Sequence, residues 1–109
     1  FVFFADCDEL TELSLSDFVT TAWETGLSRV RPHSGHRNSD ISLIIFTEKI
    51  SDEVKIKIKK TKLYKSYKFS FHGWSNFKLA VCSLSEMTAY SNRHGKDFAK
   101  LIIKNIKNP

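Results

Sequence analysis

The sequence has few of the residues that build disulfide-rich or loop-dominated proteins. Its 109 residues include only two cysteines, two prolines and four glycines. That composition excludes a disulfide-dense scaffold, a collagen-like chain and a low-complexity segment. No apolar run approaches the roughly 18 residues that a membrane-spanning helix needs. The hydrophobic fraction of 41% is instead sufficient for the core of one domain, which we place at residues 1–109.

Sequence signatures for nucleotides and metals are missing as well. The chain contains neither a P-loop nor a glycine-rich dinucleotide turn. Its two cysteines and four histidines do not follow the spacing of a zinc site. We therefore expect no cofactor and no metal centre.

Basic residues are absent from the first 28 positions, where six acidic residues give a net charge of −6. Residues 29–109 hold all seventeen bases and the other six acids, a net charge of +11. This asymmetry is typical of a protein with a polyanionic partner such as RNA. Alternatively, the acidic N-terminal part lies against the basic remainder and the charges compensate each other internally.

Hydrophobic periodicity predicts an α+β domain with an antiparallel sheet packed on an N-terminal helix. The helix is expected to begin at Ser14–Asp17 and to end near Gly26. Short polar connections between the predicted strands favour an antiparallel meander. An extra C-terminal helix is predicted at Lys96–Lys107. The predicted strands cover residues 1–5, 43–46, 54–58, 67–71 and 77–81.

Cys7 and Cys82 each follow a strand-like apolar segment. On adjacent strands they would be close enough for a disulfide, whereas in a cytosolic protein they would be two buried thiols. The chain begins at Phe1 and its only methionine is Met87, which is compatible with a trimmed secreted protein or with a shortened segment. We expect the disulfide and secretion.

Several polar residues could support metal-free RNA cleavage, which needs a base, an acid and a cation beside the phosphate. The loop at residues 28–40 contains His33 and His36, and His72 follows an alternating strand pattern. Glu48 is a candidate carboxylate base. Lys55, Lys57 and Lys59 would share the polar face of the predicted strand at 54–58. Each of these residues also fits an ordinary solvated surface.

The order of these features resembles the small secreted fungal guanyl-specific ribonucleases. The resemblance covers about residues 1–83, and it implies a ribonuclease-like fold, a Cys7–Cys82 disulfide and a catalytic acid at His72. The matching segments are Cys7, Ser14–Asp17, Arg31–His33, Phe69–Gly73 and Asn76–Cys82. However, residues 42–47 contain no glutamate and residues 54–60 no arginine, where the family has catalytic groups. The resemblance therefore implies a non-catalytic protein in which His33, Glu48 and His72 are vestigial.

This combination resembles the ribonuclease-like secreted effectors of cereal powdery mildews. It implies a secreted monomer that acts by binding in the host plant cytoplasm, without a membrane. The implied partners are host RNA or ribosomes and a host immune receptor. An active endoribonuclease using His33 or His36, Glu48 and His72 is one alternative, and an intracellular basic interaction module with free thiols is another. The predicted RNA-binding residues are Lys55, Lys57, Lys59, Lys68, Tyr67, Arg31 and Arg37.

Overall fold

The described part of the chain folds into one five-stranded sheet and three helices. A computed structural model describes residues 1–29, 38–66 and 74–107. It confirms the α+β class, the N-terminal helix and the additional C-terminal helix, whose bounds are those predicted. The elements are β1 (Val2–Leu10), α1 (Glu12–Arg29), β2 (Asn38–Ile50), α2 (Asp52–Lys60), β3 (Tyr64–Ser66), β4 (Trp74–Ser83), β5 (Thr88–Ser91) and α3 (Lys96–Lys107).

The sheet is mixed, so the prediction of an antiparallel sheet is wrong for its main strands. β1 pairs with β2, and β2 pairs with β4, in parallel. Only β3 and β5 are antiparallel, and both pair with β4 on the side away from β2. Parallel neighbours need crossover connections, which here contain α1 and α2. The predicted meander has no crossover at α2, because the alternating pattern at Val54–Ile58 predicts a strand there.

The segment Val54–Ile58 is helical, although its strict alternation predicts a strand. Ser51 caps α2, since its side chain accepts a hydrogen bond from the backbone N–H of Val54. Two acids follow in the first turn and three lysines occupy the last turn, which suits the helix dipole. Val54 and Ile58 are buried, whereas Ile56 between them is 54% exposed. Val54 and Ile58 are spaced i, i+4 and therefore lie on the same face of a helix. The alternating sequence thus also fits a helix that starts at the Ser51 cap.

The core lies between one face of the sheet and helices α1 and α2. Strands β2 and β4 contribute fully buried residues such as Ile45 and Leu79. Helix α1 contributes Leu15 and Ala22 to this core, and its Phe18, Val19 and Trp23 pack against it. Trp23 of α1 meets Phe77 of β4 edge-on, with ring centroids 5.9 Å apart. Helix α1 continues through Gly26 to Arg29, so the predicted stop at Gly26 is wrong.

Helix α3 packs against β4 and β5. The Lys78 ammonium lies 5.6 Å from the centroid of the Phe98 ring and pairs with Asp40 at 3.1 Å. The register places Lys78 beside Ser42 and Val2, on the face opposite to the main core. Over β1 that face remains open, and Phe4 there is 68% exposed.

The predicted Cys7–Cys82 disulfide is not formed, and both cysteines are free thiols. Cys7 is in register with Thr47 of β2, whereas Cys82 is in register with Phe46 of the same strand. Strand β2 therefore separates the two cysteines by about 9.5 Å, twice the usual strand spacing. A disulfide requires Cα atoms within about 7 Å. Because the two register positions differ by one residue, the thiols also point to opposite faces of the sheet.

We expect this placement to be visible in thiol chemistry. Unfolding the protein without reductant should expose two titratable thiols. In the folded protein the half-buried Cys7 should react with iodoacetamide well before Cys82, which is fully buried and whose pKa is raised by burial. Mass spectrometry of labelled peptides measures the order, with Cys7→Ser as the control that leaves only slow labelling. A preparation without titratable thiols would contradict the strand order.

Candidate polyanion-binding groove

An open basic groove lies between the end of α2, strand β5 and the start of α3. Its volume is about 590 Å³. Lys59, Arg93 and Lys96 line it together with Tyr90, and among residues 1–29, 38–66 and 74–107 no acidic side chain lines it. These three cations belong to three different segments that the fold brings together. Such an arrangement of cations beside an aromatic ring can hold phosphates.

Asn92 fixes the floor of this groove. Strand β3 pairs with Trp74–Asn76 and β5 with Ala80–Ser83, which leaves a gap along the edge of β4. The Asn92 side chain occupies this gap: its Oδ1 accepts from the backbone N–H of Leu79, and its Nδ2 donates to the carbonyl of Phe77. The same Oδ1 accepts from the N–H of Gly95 at 2.9 Å. Asn92 therefore anchors the start of α3, and with it Arg93 and Lys96.

Tyr90 also belongs to a polar cluster that neutralises Lys55. The Lys55 ammonium donates to Glu86 Oε1 at 2.9 Å and lies 5.0 Å from the Tyr90 ring centroid. The Tyr90 hydroxyl donates to the same Glu86 oxygen at 2.6 Å. Hydrogen bonds from Tyr90 and Lys55 lower the pKa of Glu86, and the hydrogen bond to Glu86 raises the pKa of Tyr90 and of Lys55. At neutral pH the cluster therefore holds a carboxylate and an ammonium, whose charges offset each other.

The three predicted α2 lysines do not form one row. A helix rotates by about 100° per residue, so alternate residues leave it in nearly opposite directions. Lys55 points to Glu86, whereas Lys57 Nζ donates to the carbonyl of Glu12 at 3.3 Å, on the α1 side. Only Lys59 reaches the basic groove. The prediction of a common lysine face is wrong because it assumed strand geometry.

Glu48 lies at a different groove, which has a volume of about 380 Å³ at the ends of β1 and β2. Its polar lining includes Asp6 and Asp8, so Glu48 has acidic neighbours there. Within the described residues, no histidine or cation lines this groove. Residues 1–29, 38–66 and 74–107 also contain no group of three or more His, Cys, Asp or Glu side chains suited to a metal ion.

Seven predicted site residues lie outside the described residues, and their roles remain predictions. The seven residues are Arg31, His33, His36, Arg37, Tyr67, Lys68 and His72.

None of the helices in the described ranges combines the length and apolar content needed to cross a membrane.

Sequence reasoning missed Arg93 and Lys96 as members of a site. Arg93 follows a four-residue strand, Thr88–Ser91, that the hydrophobic pattern did not reveal. The available signal was the segment Asn92–Lys96, in which a cap-forming residue and a glycine precede the helix. It predicts a turn with basic residues, but it does not predict that Lys59 lies opposite.

The family of the chain is set by its match to one family model. This model covers residues 1–104 and is described as a domain of unknown function, DUF8052. The chain belongs to the DUF8052 family. No curated protein and no solved structure matches the chain significantly. The DUF8052 match spans all five strands and most of α3, and so includes every residue that lines the basic groove.

Proposed function

We propose that this DUF8052 domain is a non-catalytic binding domain that holds the phosphate backbone of single-stranded RNA in the basic groove. The observation that carries this proposal is the convergence of Lys59, Arg93 and Lys96 on one groove that no acidic residue of the described ranges lines. Arg93 can hold a phosphate through two parallel hydrogen bonds, and the two lysines add charge without fixed geometry.

The groove keeps its positive charge because the neighbouring acid is neutralised. Glu86 lies close by, but its carboxylate accepts hydrogen bonds from Lys55 and Tyr90. Tyr90 lines the groove beside the three cations. Backbone contacts through charge and one ring predict binding with little sequence preference and strong salt dependence.

The absence of catalysis is part of the proposal. Glu48, the candidate base, has acidic neighbours in a separate groove, and no arginine of the described residues lines that groove. A phosphorane formed there would meet carboxylates instead of a stabilising cation. We expect pure protein to leave single-stranded RNA intact. Release of guanosine 2′,3′-cyclic phosphate, abolished in His72→Ala, would instead favour the active endoribonuclease.

RNA binding is tested with two triple variants of equal net charge. In the first, Lys59, Arg93 and Lys96 are replaced by glutamine; in the second, the exposed Lys49, Lys62 and Lys104 are replaced. Fluorescence anisotropy of a labelled single-stranded RNA gives the affinity over a series of salt concentrations. Each lost phosphate contact reduces the slope of log K against log salt by about 0.7.

For the first triple variant we therefore expect the slope to fall by about 2. The second triple variant should keep most of the slope, because its lysines lie outside the groove. Equal losses in both variants would show that only net charge matters and would overturn the groove proposal.

For the biological setting we propose the effector role: secretion, transfer to the host plant cytoplasm, and recognition by an immune receptor. Expression of the chain in leaves with candidate receptors, scored for cell death, tests this role. The intracellular basic interaction module is the second candidate. It is favoured by the two free cysteines on opposite faces of the sheet, because a reducing compartment preserves free thiols.

A further inference from the structure

Strand β1 forms the edge of the sheet opposite to the basic groove. Among the described residues it pairs only with β2. The carbonyl of Phe1 accepts from the N–H of Ser42, and the N-terminal amine donates to the carbonyl of Asp40. Backbone groups alternate in direction along a strand, so Phe3, Ala5 and Cys7 bond to β2. Consequently Val2, Phe4 and Asp6 present their N–H and C=O groups on the open edge, whereas the carbonyl of Asp8 accepts from the Thr47 hydroxyl of β2.

Helix α1 runs beside this edge and forms an apolar groove with it. The groove has a volume of about 280 Å³, and Phe18, Ala22 and Thr25 of α1 line it opposite Phe3 and Phe4 of β1. A strand edge next to a helix is the geometry in which domains bind an extended peptide as an added strand. Proteins protect open edges with proline, lysine or a bulge, and β1 contains neither proline nor lysine.

The charge around this edge selects the partner. Asp6 and Asp8 lie on the open side of β1, and Asp17 is exposed in the first half of α1. The ion pairs of the described residues, Lys55 with Asp52 and Glu86, and Lys78 with Asp40, leave these three carboxylates uncompensated. The acidic N-terminal part therefore does not lie against the basic groove, and its charge is available to a partner.

We propose that β1 binds an extended, basic segment of a partner protein as an additional strand. The backbone of that segment pairs with the outward groups of Phe4 and Asp6. Its side chains alternate between the two faces. Apolar side chains enter the groove between Phe3 and Phe18, while lysine or arginine side chains lie beside Phe4, Asp6 and Asp8.

A second copy of this chain is a poorer occupant of the same edge. Its own β1 would bring a second Asp6 and Asp8 next to the first pair, and like charges on paired strands destabilise the sheet. A basic segment forms cross-strand ion pairs at the same positions. Its lysines can also lie over the exposed Phe4 ring.

The probe is a nine-residue peptide of alternating valine and lysine, compared with its valine–glutamate counterpart. We expect the lysine peptide to bind and to slow amide hydrogen exchange at Phe4 and Asp6. The amides of Phe3 and Ala5 already bond to β2 and should change little. Binding without this alternating protection would overturn strand addition, as would equal binding of the glutamate peptide.

Two variants of Phe4 distinguish the contribution of its backbone N–H to peptide binding from the contribution of its side chain. Phe4→Ala removes the ring and keeps the outward N–H, whereas Phe4→Pro also removes that N–H at an edge position where proline is tolerated. We expect a few-fold weaker binding for Phe4→Ala and at least a further tenfold loss for Phe4→Pro. If Phe4→Pro does not fold, the exchange pattern of the unmodified chain decides alone.

The charge contribution is tested with Asp6→Asn and Asp8→Asn combined. Two opposite-charge cross-strand pairs correspond to about a tenfold change in affinity, so we expect about tenfold weaker binding with less salt dependence. Unchanged affinity would overturn the choice of a basic partner. A dimer of the free chain that occupies β1, seen by light scattering and the same exchange pattern, would assign the edge to a second copy instead.

Discussion

Replacing Asn92 with alanine should lower the free energy of unfolding by about 3 kcal/mol. Asn92 is 1% exposed, and its amide group bonds four backbone groups: the N–H of Leu79 and Gly95 and the carbonyls of Thr61 and Phe77. Alanine would leave the buried N–H of Leu79 without a partner and would weaken the contact between β4 and the start of α3. A buried unpaired donor costs about 1–3 kcal/mol, and the lost bonds add to this.

Urea unfolding followed by circular dichroism measures the effect. Asn105→Ala is the matched control, because the Asn105 side chain donates to the carbonyl of Leu101 on the exposed surface of α3. We expect its free energy of unfolding to change by less than about 0.5 kcal/mol. If both variants lost the same stability, the bridging role of Asn92 would be wrong.

The elements predicted correctly from the sequence are those in which the spacing of apolar residues fits only one type of secondary structure. Helix α3 has the predicted bounds because its apolar and lysine positions follow a helical period over twelve residues. Strand β2 contains the continuous apolar run at residues 43–46, which is typical of a strand buried on both faces. In both segments, local periodicity and tertiary burial favour the same structure.

The predictions fail where the local hydrophobic pattern fits more than one secondary structure, or where it does not determine the order of the strands in the sheet. Alternation at Val54–Ile58 is compatible with a strand and with an i, i+4 helical pair, and the cap at Ser51 decides between them. Once α2 is a helix, it provides the crossover that makes β2 and β4 parallel. The strand order then places β2 between Cys7 and Cys82. The misassigned segment therefore accounts for the wrong pairing of β2 with β4 and for the wrong lysine face, whereas the strand order accounts for the wrong disulfide.

Site prediction from sequence reached only Lys59 among the groove cations. Arg93 and Lys96 are 34 and 37 positions away from it in the chain, and only the pairing of β5 with β4 brings them together. The charge asymmetry was more informative, because it is visible without a fold. In the structure, the acidic and basic parts of the chain lie at opposite edges of the sheet. Acids line the open β1 edge, and the basic groove lies beside β5 at the other edge.

Gly95→Ala should destabilise the domain by about 3 kcal/mol, considerably more than Gly26→Ala. A Cβ at Gly95 would collide with the carbonyl oxygen of Leu79 and lie 2.8 Å from its carbonyl carbon. These atoms belong to the backbone of β4, which is hydrogen-bonded on both sides and cannot move without disturbing the sheet. The strain would also displace the first turn of α3, so the proposed RNA binding through Arg93 and Lys96 should weaken with it.

Gly26 provides the comparison, because a Cβ there meets only side-chain atoms of Ile41, at 2.7–2.9 Å. A side chain can shift more easily than a strand backbone, and alanine gains about 1 kcal/mol over glycine inside a helix. We therefore expect Gly26→Ala to cost about 1 kcal/mol or less. Urea unfolding of both variants measures the difference. A stable Gly95→Ala protein would show that α3 does not approach β4 as closely as described, and the position of Arg93 and Lys96 beside Lys59 would then be wrong as well.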